Sequence, residues 1–425
     1  MDKPHIIQEI RKRNVSDIFN NKTIELDSKT VTRLKKIISC CLMLFLFLNI
    51  FPRVNFIKDI FFYLPLAITL FLIYLKKLDF SIKSPLLLPI IMFTVWAFLI
   101  SIFAHNVFES FHSFYSHLVR YIIFYCLFIN FLDTKSKIIT LSWVIVLSTI
   151  IFFAGALIYY YITLQNPLSS RFGFSYFSIN IISFGTIFSI LLSFQLLSTE
   201  QFFFRKSILI TGIILLVAAT LLTQSRGAFI SLVISTLIIL ARNKFFLISF
   251  IVILVALTSI LPGKNRISPD KIFDDNARIG ILYYSLEIVK DYPVMGTGFS
   301  IDVFKNKKIM NQEKYWENIP EQYRSVNFIL PHSMPLSLLV RTGIIGLILF
   351  SFIFITLFRM CFKIIQSGKN EFLKGWGWCL VATLVMFIIS GLFEPVFIHS
   401  LDTIFYTICA MITIIWKINE KADSS

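Results

Sequence analysis

The stretch SILITGIILLVAATLLTQSRGAFISLVISTLIILA, residues 207–241, decides the fold. Two apolar runs, 207–223 and 227–241, meet in a short polar turn, Thr223-Gln224-Ser225-Arg226-Gly227. A helix rises about 1.5 Å per residue, so these runs extend roughly 22–26 Å, close to the roughly 30 Å of bilayer hydrocarbon, and they read as membrane segments. They lack the alternation of apolar and polar residues that marks a barrel strand. Lipid offers no partner to backbone N–H and C=O groups, so each run must be a helix and the turn a tight reversal at one membrane face.

The pattern recurs along the chain. Apolar segments lie at 37–52, 57–75, 85–104, 117–132, 138–162, 175–197, 207–223, 227–241, 245–262, 333–358, 376–393 and 400–416. The 425 residues are 56% hydrophobic and 15% charged and include 47 Phe, more apolar surface than a soluble domain of this size covers. The expected architecture is an all-α polytopic membrane protein of about twelve spans with one long loop. A basic N-terminal segment, 1–36, precedes nine spans in 37–262. A polar insert, 263–331, and three further spans in 333–416 follow, with a tail at 417–425.

Orientation follows from the loops. On one side the short loops carry Lys76, Lys77, Lys83, Lys135, Lys137, Arg205, Lys206, Arg242, Lys244, Arg359, Lys363, Lys369 and Lys374; on the other they carry Arg53, Lys58, Arg171 and Arg226. The basic side is cytoplasmic, which puts both termini inside and the insert outside. The first 36 residues show no cleavage pattern, so the first span reads as an uncleaved anchor. The net charge of +16 reflects this bias and contact with anionic membrane lipids, not nucleic acid. Cys40, Cys41, Cys126, Cys361, Cys379 and Cys409 lie in spans or on the inner side, so the insert holds no disulfide framework and the cysteines read as buried thiols.

Within the insert, Asp274-Asp275-Asn276 offers helix caps. Ile279, Leu282, Tyr283, Leu286 and Val289 recur at spacings near three and four, predicting a helix with one apolar face at the membrane surface or the bundle mouth. Tyr292-Pro293 and Gly296-Thr297-Gly298 end it.

Ionisable groups beside spans are costly and therefore candidates for function. Arg120, Arg226, Arg278, His332, Arg341, Glu394, His399 and Asp402 all map to outer span ends or the insert. A guanidinium at Arg226 or Arg278 suits bidentate contact with phosphate oxygens, although snorkelling to lipid phosphate or a solvated surface position accounts for each taken alone. His332 stands one step before a span, where a neutral imidazole can take a proton from a hydroxyl near pH 7. Arg341 lies deeper and needs a partner, with Glu394 or Asp402 as the expected ion pair; Arg120 reads similarly. His105, His112 and His117 cluster, but no cysteine or carboxylate spacing completes a metal site, and none is expected. Walker-type, dinucleotide and nucleophile-elbow motifs are absent, so no cofactor is expected. Tyr159-Tyr160-Tyr161 and the Trp376/Trp378 pair read as interfacial aromatic belts.

Three motifs together resemble the O-antigen ligase and polymerase superfamily: Leu222–Ala228; Asn276–Gly280 with Leu286–Gly298; and Pro331-His332-Ser333 running to Arg341–Gly346. The resemblance covers about 207–350. It implies a GT-C-like glycosyltransferase of the bacterial inner membrane, acting at the periplasmic face without ATP, nucleotide sugar or metal. Such enzymes take a glycan from undecaprenyl diphosphate, and ligases attach it to a lipid A–core sugar to make lipopolysaccharide. Arg226 and Arg278 would then hold the diphosphate, and His332 would be the general base. Two positions depart from the pattern: Ser333 stands where Asn is frequent, and Arg341 where Glu is frequent. The second implies a reversed charge on the lower wall of the site.

The nearest alternative is an O-antigen polymerase. Polymerases commonly pair Arg with Gly eleven residues on, and here the positions eleven after Arg171 and Arg278 are Ile182 and Val289, which favours a ligase. A lipid-glycan flippase or other transporter would place charges near the bilayer midplane and show repeated halves, neither of which is present.

Overall fold

The computed structural model describes residues 27–173, 179–241, 244–260, 276–301, 304, 310–324, 331–367, 370–398 and 401–424. The helices of the bundle, in chain order, are α1 (Ser28–Asn49), α2 (Asn55–Tyr74), α3 (Leu87–Ile102), α4 (Val107–Phe131), α5 (Lys135–Thr163), α6 (Ile179–Leu197), α7 (Phe203–Leu222), α8 (Arg226–Leu240) and α9 (Lys244–Ile260). The insert contributes α10 (Asn276–Asp291) and α11 (Gln312–Glu317), and the chain closes with α12 (Met334–Ser367), α13 (Glu371–Gly391) and α14 (Leu401–Ser424). A helix therefore stands at each expected apolar segment. Seven of them, α2, α4, α5, α7, α12, α13 and α14, are long and apolar enough to cross a membrane. Helix starts follow local chemistry. Asp27, Asn106, Thr134, Ser225 and Asn370 each turn a side-chain oxygen onto a backbone N–H of the first turn of the helix that follows.

Burial orders the bundle. In α14, 78% of the apolar window is buried, against 22% in α2, so α14 is central and α2 peripheral. α13 is central too, with Trp376, Cys379, Leu380 and Phe387 enclosed. Trp376 is a core residue, not part of an interfacial belt: its position one turn into α13 faces the bundle axis, which hydropathy alone does not reveal. Hydroxyl pairs join neighbouring helices at Thr186–Thr220, Ser189–Thr149 and Ser390–Ser231, each 2.8 Å. Each such pair contributes about 0.6 kcal/mol in a membrane bundle. Exposed Phe56, Leu70, Phe98, Ile151, Ile348 and their neighbours form the outward apolar surface that lipid covers.

α12 is broken at Gly343, whose φ of 64° and ψ of −174° leave the helix. The freed backbone groups find partners in the insert and in α3. Thr297 N donates to Val340 O at 2.9 Å, Gly298 N to Arg341 O at 3.1 Å, and Ile344 N to Pro293 O at 2.9 Å. Trp96 Nε1 donates to Thr342 O at 2.9 Å. The segment 292–299 is thus keyed into the break, backbone against backbone. Glycine is required on both sides: a Cβ on Gly343 would lie 1.9 Å from Val294 O, and one on Gly296 2.6 Å from Arg341 C. Both residues also hold positive φ.

The key orients α10, which packs on α12 and shares a small core with Phe304, Met310, Tyr315 and Ile319 through Tyr284 and Ile288. The face that docks is therefore centred on Tyr284 and Ile288. The expected face is turned outward in part, with Leu282, Tyr283 and Leu286 each more than a third exposed. Periodicity found an apolar helix but could not choose between its two apolar flanks; docking on α12 did. At its end, Asp291 accepts from Lys314 Nζ and Tyr315 OH, and these bonds hold its carboxyl below the usual range and tie α10 to α11. The proposed caps Asp274 and Asp275 lie outside the described residues.

Gly343→Ala is expected to cost at least about 2 kcal/mol, because it adds left-handed strain to a steric overlap. Thermal unfolding of the detergent-solubilised protein checks this; a midpoint equal to wild type would show that the key is not tight.

Candidate functional site

The turn 223–227 is held before any ligand arrives. Ser225 caps α8, its Oγ accepting from Ala228 N, and Gln224 takes positive φ to bring the chain round. The loop 164–173 clasps the turn: Arg171 Nε donates to Thr223 O at 2.8 Å, Phe172 N to Leu222 O at 2.9 Å, and Gln224 Nε2 to Ser169 O at 3.0 Å. Tyr160 OH and Tyr161 OH donate to the carbonyls of Arg171 and Ser170, so two of the three consecutive tyrosines brace this loop beyond any belt role. Arg226 is consequently fixed as the first residue of α8. Its charge adds to the positive end of the helix dipole, a setting that favours an anion.

Gly227 is where the turn meets the rest of the site. A Cβ there would lie 2.4 Å from ring atoms of Phe393, so the ring rests directly on the glycine. The Arg278 guanidinium lies 5.1 Å over the same ring. Phe393 thus joins the α8 turn to α10, and Arg226 and Arg278 approach one region from two elements.

Arg278 and His332 line a cavity of about 420 Å³ together with Ile281, Leu282, Ser333, Pro335, Leu336, Leu339, Leu347 and Leu392. Leu336, Leu339 and Leu347 of α12 give it an apolar wall beside the two ionisable groups. The His332 side chain is 43% exposed, whereas the Glu394 side chain is 3% exposed, and His332 Nδ1 lies 3.6 Å from Glu394 Oε2. A few tenths of an ångström of closure makes this a hydrogen bond, the usual tightening when a substrate fills a site. With Nδ1 turned to the carboxylate, Nε2 is the nitrogen available to a ligand.

Ser333 immediately precedes the first residue of α12, the cap position, where Ser and Asn are both favoured. The departure from the motif therefore exchanges one cap former for another.

Arg341 is 1% exposed. Its Nε donates to Phe299 O at 2.9 Å and its Nη1 to Val396 O at 3.0 Å, with a further bond from Nη2 to Phe299 O. Its guanidinium also lies 5.0 Å over the Phe299 ring. The residue therefore braces the loop key and the chain beyond α13, and does not reverse the charge of the cavity wall. A glutamate has no donors for those carbonyls, so this local wiring requires a cation. Of the two carboxylates expected beside it, Glu394 faces His332, and Asp402 Oδ2 lies 2.6 Å from His117 Nδ1. Arg120 stands elsewhere, bonded to Asp59 and lying 4.9 Å over the Phe62 ring of α2. His105 bridges to the insert through Thr297 O and Tyr292 OH. His399 lies outside the described residues.

Sequence reasoning passed over Phe393, an aromatic near a helix end among 47 Phe. The one available signal was its place beside Glu394 and Pro395, where the chain leaves a span.

Gly227→Ala is expected to destabilise the protein by about 1–3 kcal/mol through overpacking against Phe393. Adding Phe393→Leu clears the ring, so the double variant should melt above the single one. A double variant no more stable than Gly227→Ala would sink this account of the contact.

Residues 211–351 match the model of a protein family described as O-antigen ligase. The match runs from within α7 to within α12 and takes in Arg226, Arg278, the 292–299 key, His332 and Arg341. No curated protein matches the chain.

Proposed function

We propose that the chain, whose residues 211–351 match the family described as O-antigen ligase, transfers O-antigen glycan from undecaprenyl diphosphate to a sugar of lipid A–core at the periplasmic face of the inner membrane. The twelve apolar helices cross the bilayer, both termini face the cytoplasm, and the cavity bearing Arg278 and His332 opens on the periplasmic side. Along the chain, the strongly basic short loops alternate with sparsely charged ones, which supports this orientation.

The observation that carries the reading is that one cavity presents a guanidinium and a carboxylate-backed imidazole above a leucine-lined wall. A lipid diphosphate needs that combination: cationic donors for its head and apolar surface for its tail. The acceptor hydroxyl gives its proton to His332 Nε2, and its oxygen bonds to the anomeric carbon of the glycan. The bond from that carbon to the diphosphate breaks, and undecaprenyl diphosphate leaves with the additional negative charge. Arg226 and Arg278 hold that charge, their positions fixed in advance by the clasped turn and by Phe393. Glu394 orients the imidazole and stabilises its protonated form.

The test is a reconstituted assay with undecaprenyl-diphosphate glycan, with and without lipid A–core, and with no added metal or ATP. Glycan on lipid A–core supports the proposal. Longer lipid-linked glycan without lipid A–core would instead make the protein a polymerase. His332→Ala is expected to lower kcat by about 10²–10⁴-fold, the usual contribution of a positioned base; full activity would remove the base assignment. Arg226→Lys keeps the charge but loses the fork, and a fall of at least about tenfold in transfer is expected, measured in the same assay.

A further inference from the structure

Phe393, on which Arg278 rests, and Glu394, which faces His332, belong to the short stretch between α13 and α14 rather than to a helix. Something must fix that stretch, since both ligand-facing groups depend on it. One hold is Arg341, which donates to Val396 O at 3.0 Å. The other is at the first turn of α14. Asp402, eight residues beyond Glu394, is enclosed, and its Oδ2 lies 2.6 Å from Nδ1 of His117 on α4. Next to it, Thr403 Oγ1 donates to Asn49 Oδ1 at 3.1 Å and to Tyr121 OH at 3.3 Å.

The pair is more than bundle glue. α4 and α14 already pack through the Tyr121–Tyr406 stack, with centroids 5.8 Å apart, and through Tyr125 OH and Thr413 Oγ1 at 3.0 Å. An enclosed carboxylate adds little net stability compared with apolar packing, so its presence needs another reason. A second oddity sits at the same spot. α4 departs from regular winding in a π-turn, Tyr115–Val119, centred on His117. Such turns are costly and cluster at functional positions, because the extra residue re-aims a side chain. Here the re-aimed side chain meets Asp402. α4 also grips the loop key from the other side, Ser110 Oγ accepting from Phe299 N at 2.7 Å.

We propose that His117 and Asp402 are positioning residues for the His332 site, clamping the start of α14 so that Glu394 is held against His332. The proposal rests on the reading of His332 as base and Glu394 as its orienting carboxylate. Neither His117 nor Asp402 touches substrate; they act through the chain between 393 and 402.

A double-mutant cycle in the transfer assay tests this, with melting temperatures recorded for every variant. Asp402→Asn keeps the shape and removes the charge. It is expected to lower kcat by at least about tenfold, with KM for the lipid-linked donor within about twofold of wild type, as a misplaced catalytic group does. Asp402→Asn combined with Glu394→Gln should be no slower than Glu394→Gln alone, because the clamp acts only through Glu394. His117→Gln retains an amide donor for Asp402 and should keep most of the activity that His117→Leu loses; this pair decides the matter if Asp402→Asn does not fold. Multiplying losses in the double variant, or wild-type kcat in Asp402→Asn, would overturn the proposal. Wild-type kcat in Glu394→Gln would remove the base reading beneath it, a result distinct from failure of the clamp alone.

Discussion

A helix that breaks inside a membrane must find other partners for its backbone, and this structure depends on that constraint. The break at Gly343 frees the carbonyls of Val340, Arg341 and Thr342 and the amide of Ile344. Val340, Arg341 and Thr342 are buried, and each unmet buried polar group costs several kcal/mol. The insert meets the need with Pro293, Thr297 and Gly298, and α3 with Trp96. The polar loop is therefore an integral part of α12. Its glycines are required by backbone contact and positive φ, so the loop can sit in one place only.

Everything at the site end inherits that placement. Once 292–299 is keyed in, α10 must run back across the bundle mouth, which brings Arg278 over Phe393 and onto the rim of the cavity. α12 begins at the same rim, so His332 arrives there because it precedes the helix. Arg341 then ties the key to the chain beyond α13. The separate motifs are parts of one bonded object, which explains why they occur together within residues 211–351.

The electrostatics are equally economical. Arg278 on the docked α10 lines the cavity, and the Phe393 ring beneath it rests on Gly227 at the capped start of α8. Two enclosed carboxylates each face a histidine. Arg341 donates to the carbonyls of Phe299 and Val396.

The sequence by itself determined the helical membrane class, the positions of the long helices among the described residues and the helix in the insert. Those follow from hydropathy, loop charge and turn chemistry, all of which are local. The tertiary structure decided which of these charges meet. Arg341 donates to the backbone carbonyls of Phe299 and Val396, which no side-chain pattern encodes. The docking face of α10 was set by α12 and by Tyr315 and Ile319, not by its own period. Phe393 and the His117–Asp402 pair join residues far apart in the chain, and their contacts exist only after the helices have packed. Local sequence fixes which groups a helix offers; only packing fixes which distant group each one faces.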